Sequence, residues 1–559
     1  MRTLSRGLVV LLVLLPLLAL GACETPSSSE AHVVFRGGVV WTGVPGAEPA
    51  QAVAVRDSAI LAVGSNQEVE PFVGSGTRVV ELEGRMLLPG FIDSHTHFIP
   101  GGFQLSSVDL RDAATPREFA RRIQAFAADL EPGSWITGGD WDHEMWGGEL
   151  PRREWIDSLT PDHPVFVSRL DGHMALANSL ALELGEVTAS TPVPPGGEMV
   201  MDPASGEPTG ILKDEAMGLV SRAIPPSTEE ELDRALDAAI HHALSLGVTQ
   251  THHMGTWIDL ETFRRARDDG RLKMRVQAAV PMASWERLQD FVAEHGWGDD
   301  WLWWGALKGF VDGSLGSTTA WFYDPYADEP GTSGLLTTDT ASLRRWVLAG
   351  DAAGFRIIVH AIGDRANDWI LDVYQEAMER NGPRDRRFRI EHAQHLSPEA
   401  FPRFAGLEVI PSMQPYHAID DGRWAGKRIG PERVRTSYAF RSLLDAGASL
   451  AFGSDWTVAP MDVRKGLYAA LTRRTIDGAN PRGWVPEEKI TLDEALAAYT
   501  RGGARAGFME DKVGQLKPGM LADLVVLSEN LYQVDAVDIP DIHVDLTMVG
   551  GEMAYRREG

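Results

Sequence analysis

A single cysteine, Cys23, stands in a chain of 559 residues. That scarcity excludes an intrachain disulfide and a thiolate-built zinc cage, so any metal site must use imidazole, carboxylate or amine groups. Positive charge is also short. The 52 basic residues against 79 acidic ones leave a net charge of -27, which repels polyanions and argues against nucleic acid or an anionic lipid surface as partner. Only eight of the basic residues are lysines. A lysine inside an apolar run therefore draws notice, because a guanidinium cannot do the chemistry of an amine.

The apolar stretch 8–20 is too short for a confident membrane span and follows Arg2 and Arg6, the pattern of a secretory signal. It ends in Leu20-Gly21-Ala22-Cys23, which resembles a bacterial lipobox, and a polar segment, 24–31, reads as a tether. The expectation is a lipoprotein of the bacterial cell envelope, lipidated at Cys23 and touching the membrane through its lipid alone.

Short β-type runs with glycine turns fill 32–88, and the same style returns over 506–559. One small β-sandwich domain built from both chain ends is expected. Between them lie eight strand candidates, at 91–97, 248–253, 274–280, 305–311, 356–360, 388–392, 408–414 and 449–455. Amphipathic helical segments such as 228–245 and 341–353 separate most of them. That alternation predicts an α/β chain with a (β/α)8 TIM-like barrel over 89–505. The long interval 103–227, rich in aromatics, predicts an inserted cap near the barrel mouth.

Six residues of metal-ligand type fall at or near the ends of the strand candidates: His95 and His97 in GFIDSHTHF, Lys308 in GALKGF, His360 in IIVHAIGD, His392 in FRIEHAQ and Asp455 in FGSDW. Residues two apart on a strand share a face, so His95 and His97 can grip one metal, with Asp93 either behind them or accepting a structural hydrogen bond. Lys308 lies in an apolar strand, where burial lowers an amine's pKa. An uncharged amine can add carbon dioxide to form a carbamate able to bridge two metals; the alternative is an ion pair with Asp312. His360 and His392 each suit a second metal or a satisfied core position. Asp455 can bind a metal and also take a proton from an activated water.

The order His-x-His, Lys, His, His, Asp resembles the amidohydrolase superfamily with a binuclear centre. KGFVDGSLGSTTA, HAIGDRAN and EHAQ are similar to its branch of N-substituted formamide deformylases, often termed YtcJ-like (amidohydrolase family 3), over about residues 32–559. The resemblance implies a first metal at His95, His97 and Asp455, a second at His360 and His392, and carboxylated Lys308 between them. Its cofactors would be two divalent ions, zinc by donor type, and carbon dioxide. It implies hydrolysis of a non-peptide carbon–nitrogen bond in a small amide, with Asp455 moving the proton. Hydrolysis of a cyclic amide or ester by the same centre, or a lipid-anchored binding protein without turnover, are the competing readings.

In the cap, Trp141, Asp142, Arg169, Asp171, His173 and Asn178 are candidate substrate contacts, against a reading of local capping and packing. His252 and His253 are expected to be structural, and His241 and His242 to lie on a helix surface. A homo-oligomer stays open. For the leader the expected outcome is concrete: Cys23→Ser should move the protein out of the membrane fraction, and a soluble wild type would refute the anchor.

Overall fold

The protein is described by a computed structural model covering residues 30–558. The leader and Cys23 lie outside the described residues. Eight parallel strands, Phe91–Thr96, Val248–Met254, Arg275–Pro281, Leu302–Phe310, Arg356–Ala361, Arg389–His392, Ile410–Met413 and Ala451–Phe452, pair in chain order. They are numbered here one to eight. Strand one returns to strand eight through the Thr96–Trp456 bridge and the Asp455 N–H donated to the His95 carbonyl at 2.8 Å. Being covered on both faces, these strands are buried almost throughout, as parallel strands are.

Strand eight is shorter than the expected 449–455. Beyond Phe452 the chain leaves the ladder and passes close to strand one: a Cβ at Gly453 would lie 2.5 Å from the His95 nitrogen. Glycine is required there, and Asp455 follows with φ at 58°.

The helices behave as their sequences dictate. Thr228 and Glu231 form a reciprocal capping box at the start of Glu229–Ser245, whose Leu232, Leu236, Ala239 and Ala243 are buried in the barrel core. Thr340–Ala352, after strand four, is capped by Asp339.

Within the interval between strands one and two, a six-stranded sheet runs from Val108–Asp109 to Pro208–Asp214. Its own core includes Phe119, Ile123, Trp141, Val167, Leu176 and Ile211. At the termini a four-stranded sheet (Val33–Arg36, Ala52–Arg56, Ala59–Gly64, Arg78–Glu81) faces a five-stranded one. The latter joins Val39–Val40 and Met86–Pro89 to Leu524–Leu527, Val544–Val549 and Glu552–Arg556. Val33, Phe35 and Val53 pack with Leu524, Val526 and Met548 in the apolar layer they share. Among the described residues no helix is long and apolar enough to cross a membrane.

One buried ion pair fastens the terminal sheets to the barrel. Arg275, which opens strand three, donates to both Asp523 carboxylate oxygens at 2.6 and 2.9 Å, and Asp523 also accepts the Gly550 N–H at 2.8 Å. Removing one partner of such a pair strands the other charge. Asp523→Ala should cost about 3–5 kcal/mol, read as a lower urea midpoint; an unchanged midpoint would mean the pair is not a fastening.

Candidate metal centre

The C-terminal ends of strands one, four, five, six and eight bring the six ligand-type residues to one cavity of about 320 Å3: His95, His97, Lys308, His360, His392 and Asp455 all line it. His95 Nε2 and His97 Nε2 lie 3.4 and 3.3 Å from Asp455 Oδ1. The His392 Nδ1 is 3.9 Å from the other Asp455 oxygen, and its ring centre is 4.5 Å from that of His360. Among the described residues, His95, His392 and Asp455 form a set with one ligand atom each within 4.8 Å of one another. His392 thus has both Asp455 and His360 as neighbours in the cluster.

A cation fits these donors. His95 Nε2 and Asp455 Oδ1 are buried, face each other and have no hydrogen-bond partner, and leaving such atoms unsatisfied costs about 1–3 kcal/mol each. The imidazoles are turned by their other nitrogens. His95 Nδ1 is held by Glu391 at 2.5 Å, His392 Nδ1 by the Gln414 side-chain oxygen at 2.8 Å, and His360 Nε2 by the Gly313 carbonyl at 3.0 Å. This leaves His95 Nε2, His392 Nε2 and His360 Nδ1 for a metal. His392 and Asp455 both hold φ in the left-handed region, at 74° and 58°, backbone strain of about 1–3 kcal/mol that clusters at functional sites.

The electrostatics agree. Burial, then the Lys308 charge, keeps the His95 imidazole well below its ordinary pKa; burial, then His173, does the same for His360. Neutral rings are the form a metal binds. Burial alone would raise Asp455, but the neighbouring His95 and His97 outweigh it and hold the carboxylate below its usual range. Burial brings the Lys308 amine down to about 8, against the pull of Glu391 and Asp455. Asp312 is not its partner: that carboxylate accepts the backbone N–H groups of Trp321, Ile362 and Gly363. Asp93 accepts from the His95 and Ser454 N–H groups and the Ser454 hydroxyl, tying strand one to the segment that carries Asp455.

The cap candidates divide. Arg169, Asp171 and His173 line the cavity. Trp141 does not: it is enclosed in the cap's own core, its indole N–H donating to the Val167 carbonyl at 2.8 Å. Asn178 is likewise structural, capping the helix Ser179–Leu184 and bonding Val165, Thr160 and His163. The expectation that these two contact substrate is corrected, because a cap of this size needs its own packing and capping. Asp142 acts one step back, bound to Arg169 at 3.3 Å and Arg423 at 2.8 Å. His252 and His253 are occupied by Arg389 and by the Phe98 N–H. His241 is exposed, whereas His242 is half-buried with its ring 5.1 Å from that of Trp456.

Several groups of this site were not singled out in the sequence. Glu391, inside EHAQ, turns His95 and is itself held by Arg389 at 2.9 Å; its period-two relation to Arg389 was the available signal. Gln414 closes the seventh strand candidate. Asp214 holds His173 Nδ1 at 2.6 Å from a strained backbone, φ 46° and ψ -124°. His417, on the helix Pro415–Asp421, lines the cavity with Nε2 buried and unpartnered.

Residues 78–555 match the model of the amidohydrolase family. The chain belongs to the amidohydrolase family. It is 40% identical over 567 residues to the protein LONG AFTER FAR-RED 3 of Arabidopsis thaliana, covering 98% of this chain and 97% of that one. It is 29% identical over 533 residues to an N-substituted formamide deformylase of Arthrobacter pascens, covering 91% and 96%. A crystal structure of a metal-dependent hydrolase from Pyrococcus horikoshii superposes with a TM-score of 0.72 at 28% identity, covering 90% of this chain and 99% of that one. The barrel, the metal-dependent hydrolase character of its relatives and the His95–His392–Asp455 cluster converge on one site.

Glu391 gives a direct check. Glu391→Gln removes the charge that orients His95 without changing its size, and should weaken metal affinity roughly 10–100-fold in a chelator competition titration. Unchanged affinity would make Glu391 a packing residue.

Proposed function

We propose that this chain hydrolyses the carbon–nitrogen bond of a small non-peptide amide, an N-substituted formamide or N-acyl compound, with two divalent metal ions, zinc by donor type, held by His95, His97, His360, His392, Asp455 and a carboxylated Lys308. The observation that carries the reading is the facing pair of unpartnered buried atoms, His95 Nε2 and Asp455 Oδ1, in a cavity that His360 and His392, both kept neutral chiefly by burial, also line. The family relation and the deformylase of Arthrobacter pascens support the bond type. The Cys23 lipobox supports a place on the bacterial cell envelope, with a small amide as partner.

When bound, such ions polarise a carbonyl and lower the pKa of water, making a nucleophile available at neutral pH. The chain's own groups do the rest. Asp455 takes the proton from the attacking water and delivers it to the departing nitrogen, so amide and water become acid and amine. His173, fixed by Asp214, offers its second ring nitrogen to the substrate from the cap side. Arg169 is committed to Asp142, Asp171 and His143 and shapes the wall. Lys308 at about 8 has a usable neutral fraction. Its lone pair forms the bond to carbon dioxide, one proton leaves to water, and the carbamate supplies two anionic oxygens.

Two measurements test this. Metal-loaded protein assayed for amine release should turn over members of an N-formyl, N-acetyl and N-acyl amide panel; no turnover across the panel contradicts the reading. Lys308→Arg keeps a charge but cannot form a carbamate, and should lose at least about 100-fold in kcat/KM. Chelated wild type should need bicarbonate besides metal to recover. A fully metallated, active Lys308→Arg protein would sink the carbamate while sparing a metal-dependent hydrolase.

A further inference from the structure

The cavity over the metal centre has a neighbour. Across Lys308 and Phe310, which line both, lies a second hollow of about 340 Å3 at the ends of strands two, three and four. The walls differ in chemistry. On the cap side the first cavity presents Arg169, Asp171, His173, Asp420 and Asp421. The second is walled by Met254, Pro281, Met282, Phe310, Leu343 and Trp346, with Lys308 as its single charged group. Phe310 borders both, its ring centre 4.8 Å from Lys308 Nζ and 5.3 Å from the His360 ring.

We infer that this hollow receives an apolar alkyl or aryl group carried by the amide whose scissile bond sits at the metal centre. The inference rests on the proposed amide hydrolysis and narrows its substrate class to amides with an apolar arm. The occupant follows from adjacency: Lys308 and Phe310 border both cavities, so an arm reaching over them would stay attached to whatever the metal ligands surround. It follows also from the lining, since methionine, proline and aromatic walls offer chiefly dispersion contact, with Thr256 and Thr338 the uncharged polar side chains among them. Methionine side chains at the end of strand two and just after strand three, Met254 and Met282, let the walls adapt to arms of different shape. Thr338, half-buried, lines the same hollow and lies outside the metal machinery.

The test uses the metal-loaded full chain with two substrate series, N-alkylformamides and N-methylalkanamides, which place the arm on the amine or the acyl side. Matching n-alkyl hydroxamates, whose chelating head binds a metal centre without hydrolysis, are titrated by calorimetry. Hydroxamate affinity, and kcat/KM in one of the substrate series, should rise about fourfold per methylene until the hollow is full. Thr338→Trp fills the hollow and should flatten that slope while leaving the shortest substrate within about twofold of wild type. Met282→Trp fills it from a second wall, and the thermal midpoint of each variant shows that it is folded. A flat hydroxamate series in wild type, or a slope that survives filling in a folded variant, overturns the inference. Turnover of short amides with a flat series leaves amide hydrolysis standing and removes the apolar arm. A steep hydroxamate series without amide turnover keeps the arm and removes the reaction.

Discussion

A buried nitrogen and a buried carboxylate oxygen that face each other organise this molecule. His95 Nε2 and Asp455 Oδ1 face each other at 3.4 Å, buried and unpartnered. Neither is satisfied by the other while the imidazole carries its proton on the Glu391 side. A bound cation would satisfy both atoms, and the surroundings are suited to hold one. Glu391, Gln414 and the Gly313 carbonyl hold three imidazoles in the required orientation, and His392 and Asp455 accept left-handed backbone geometry to reach their places. The left-handed backbone at His392 and Asp455 costs stability that a bound ion would offset.

The scaffold explains how the residues arrive and the cap explains what they face. Parallel strands deliver their side chains to one end of the barrel, and the closure of strand eight on strand one at Gly453 puts Asp455 beside His95. The cap is fastened over that end by charges: Asp142 to Arg423 at 2.8 Å, and Glu144 to Arg428 at 3.2 Å. Those pairs place Arg169, Asp171 and His173 over the site. The result is a centre with charged residues on the cap side and a largely apolar hollow beside it toward strands two to four.

The barrel was legible because strands buried on both faces must be continuous apolar runs, and a histidine or aspartate ending such a run breaks the pattern visibly. All six ligand-type residues line one cavity for that reason. The cap was legible as an insertion and not as a surface. Trp141 and Asn178 sit among polar and aromatic residues whose spacing does not reveal which side of a sheet meets the barrel, and the cap's own core claims both. Asp214 and His173 lie 41 positions apart and meet only because their strands pair antiparallel. His417 was hidden by the shortness of its helix, too brief to show a periodic face.

The most direct test of the metal centre is the divalent metal content of the purified, zinc-supplemented chain, measured by elemental analysis against protein concentration, with Asp455→Asn as comparison. The account predicts two equivalents in the wild type and a marked loss in the variant, since Asp455 supplies the oxygen that faces His95. One equivalent would confine the chemistry to a single site and remove the bridge proposed for Lys308. A wild type that binds none would contradict the account.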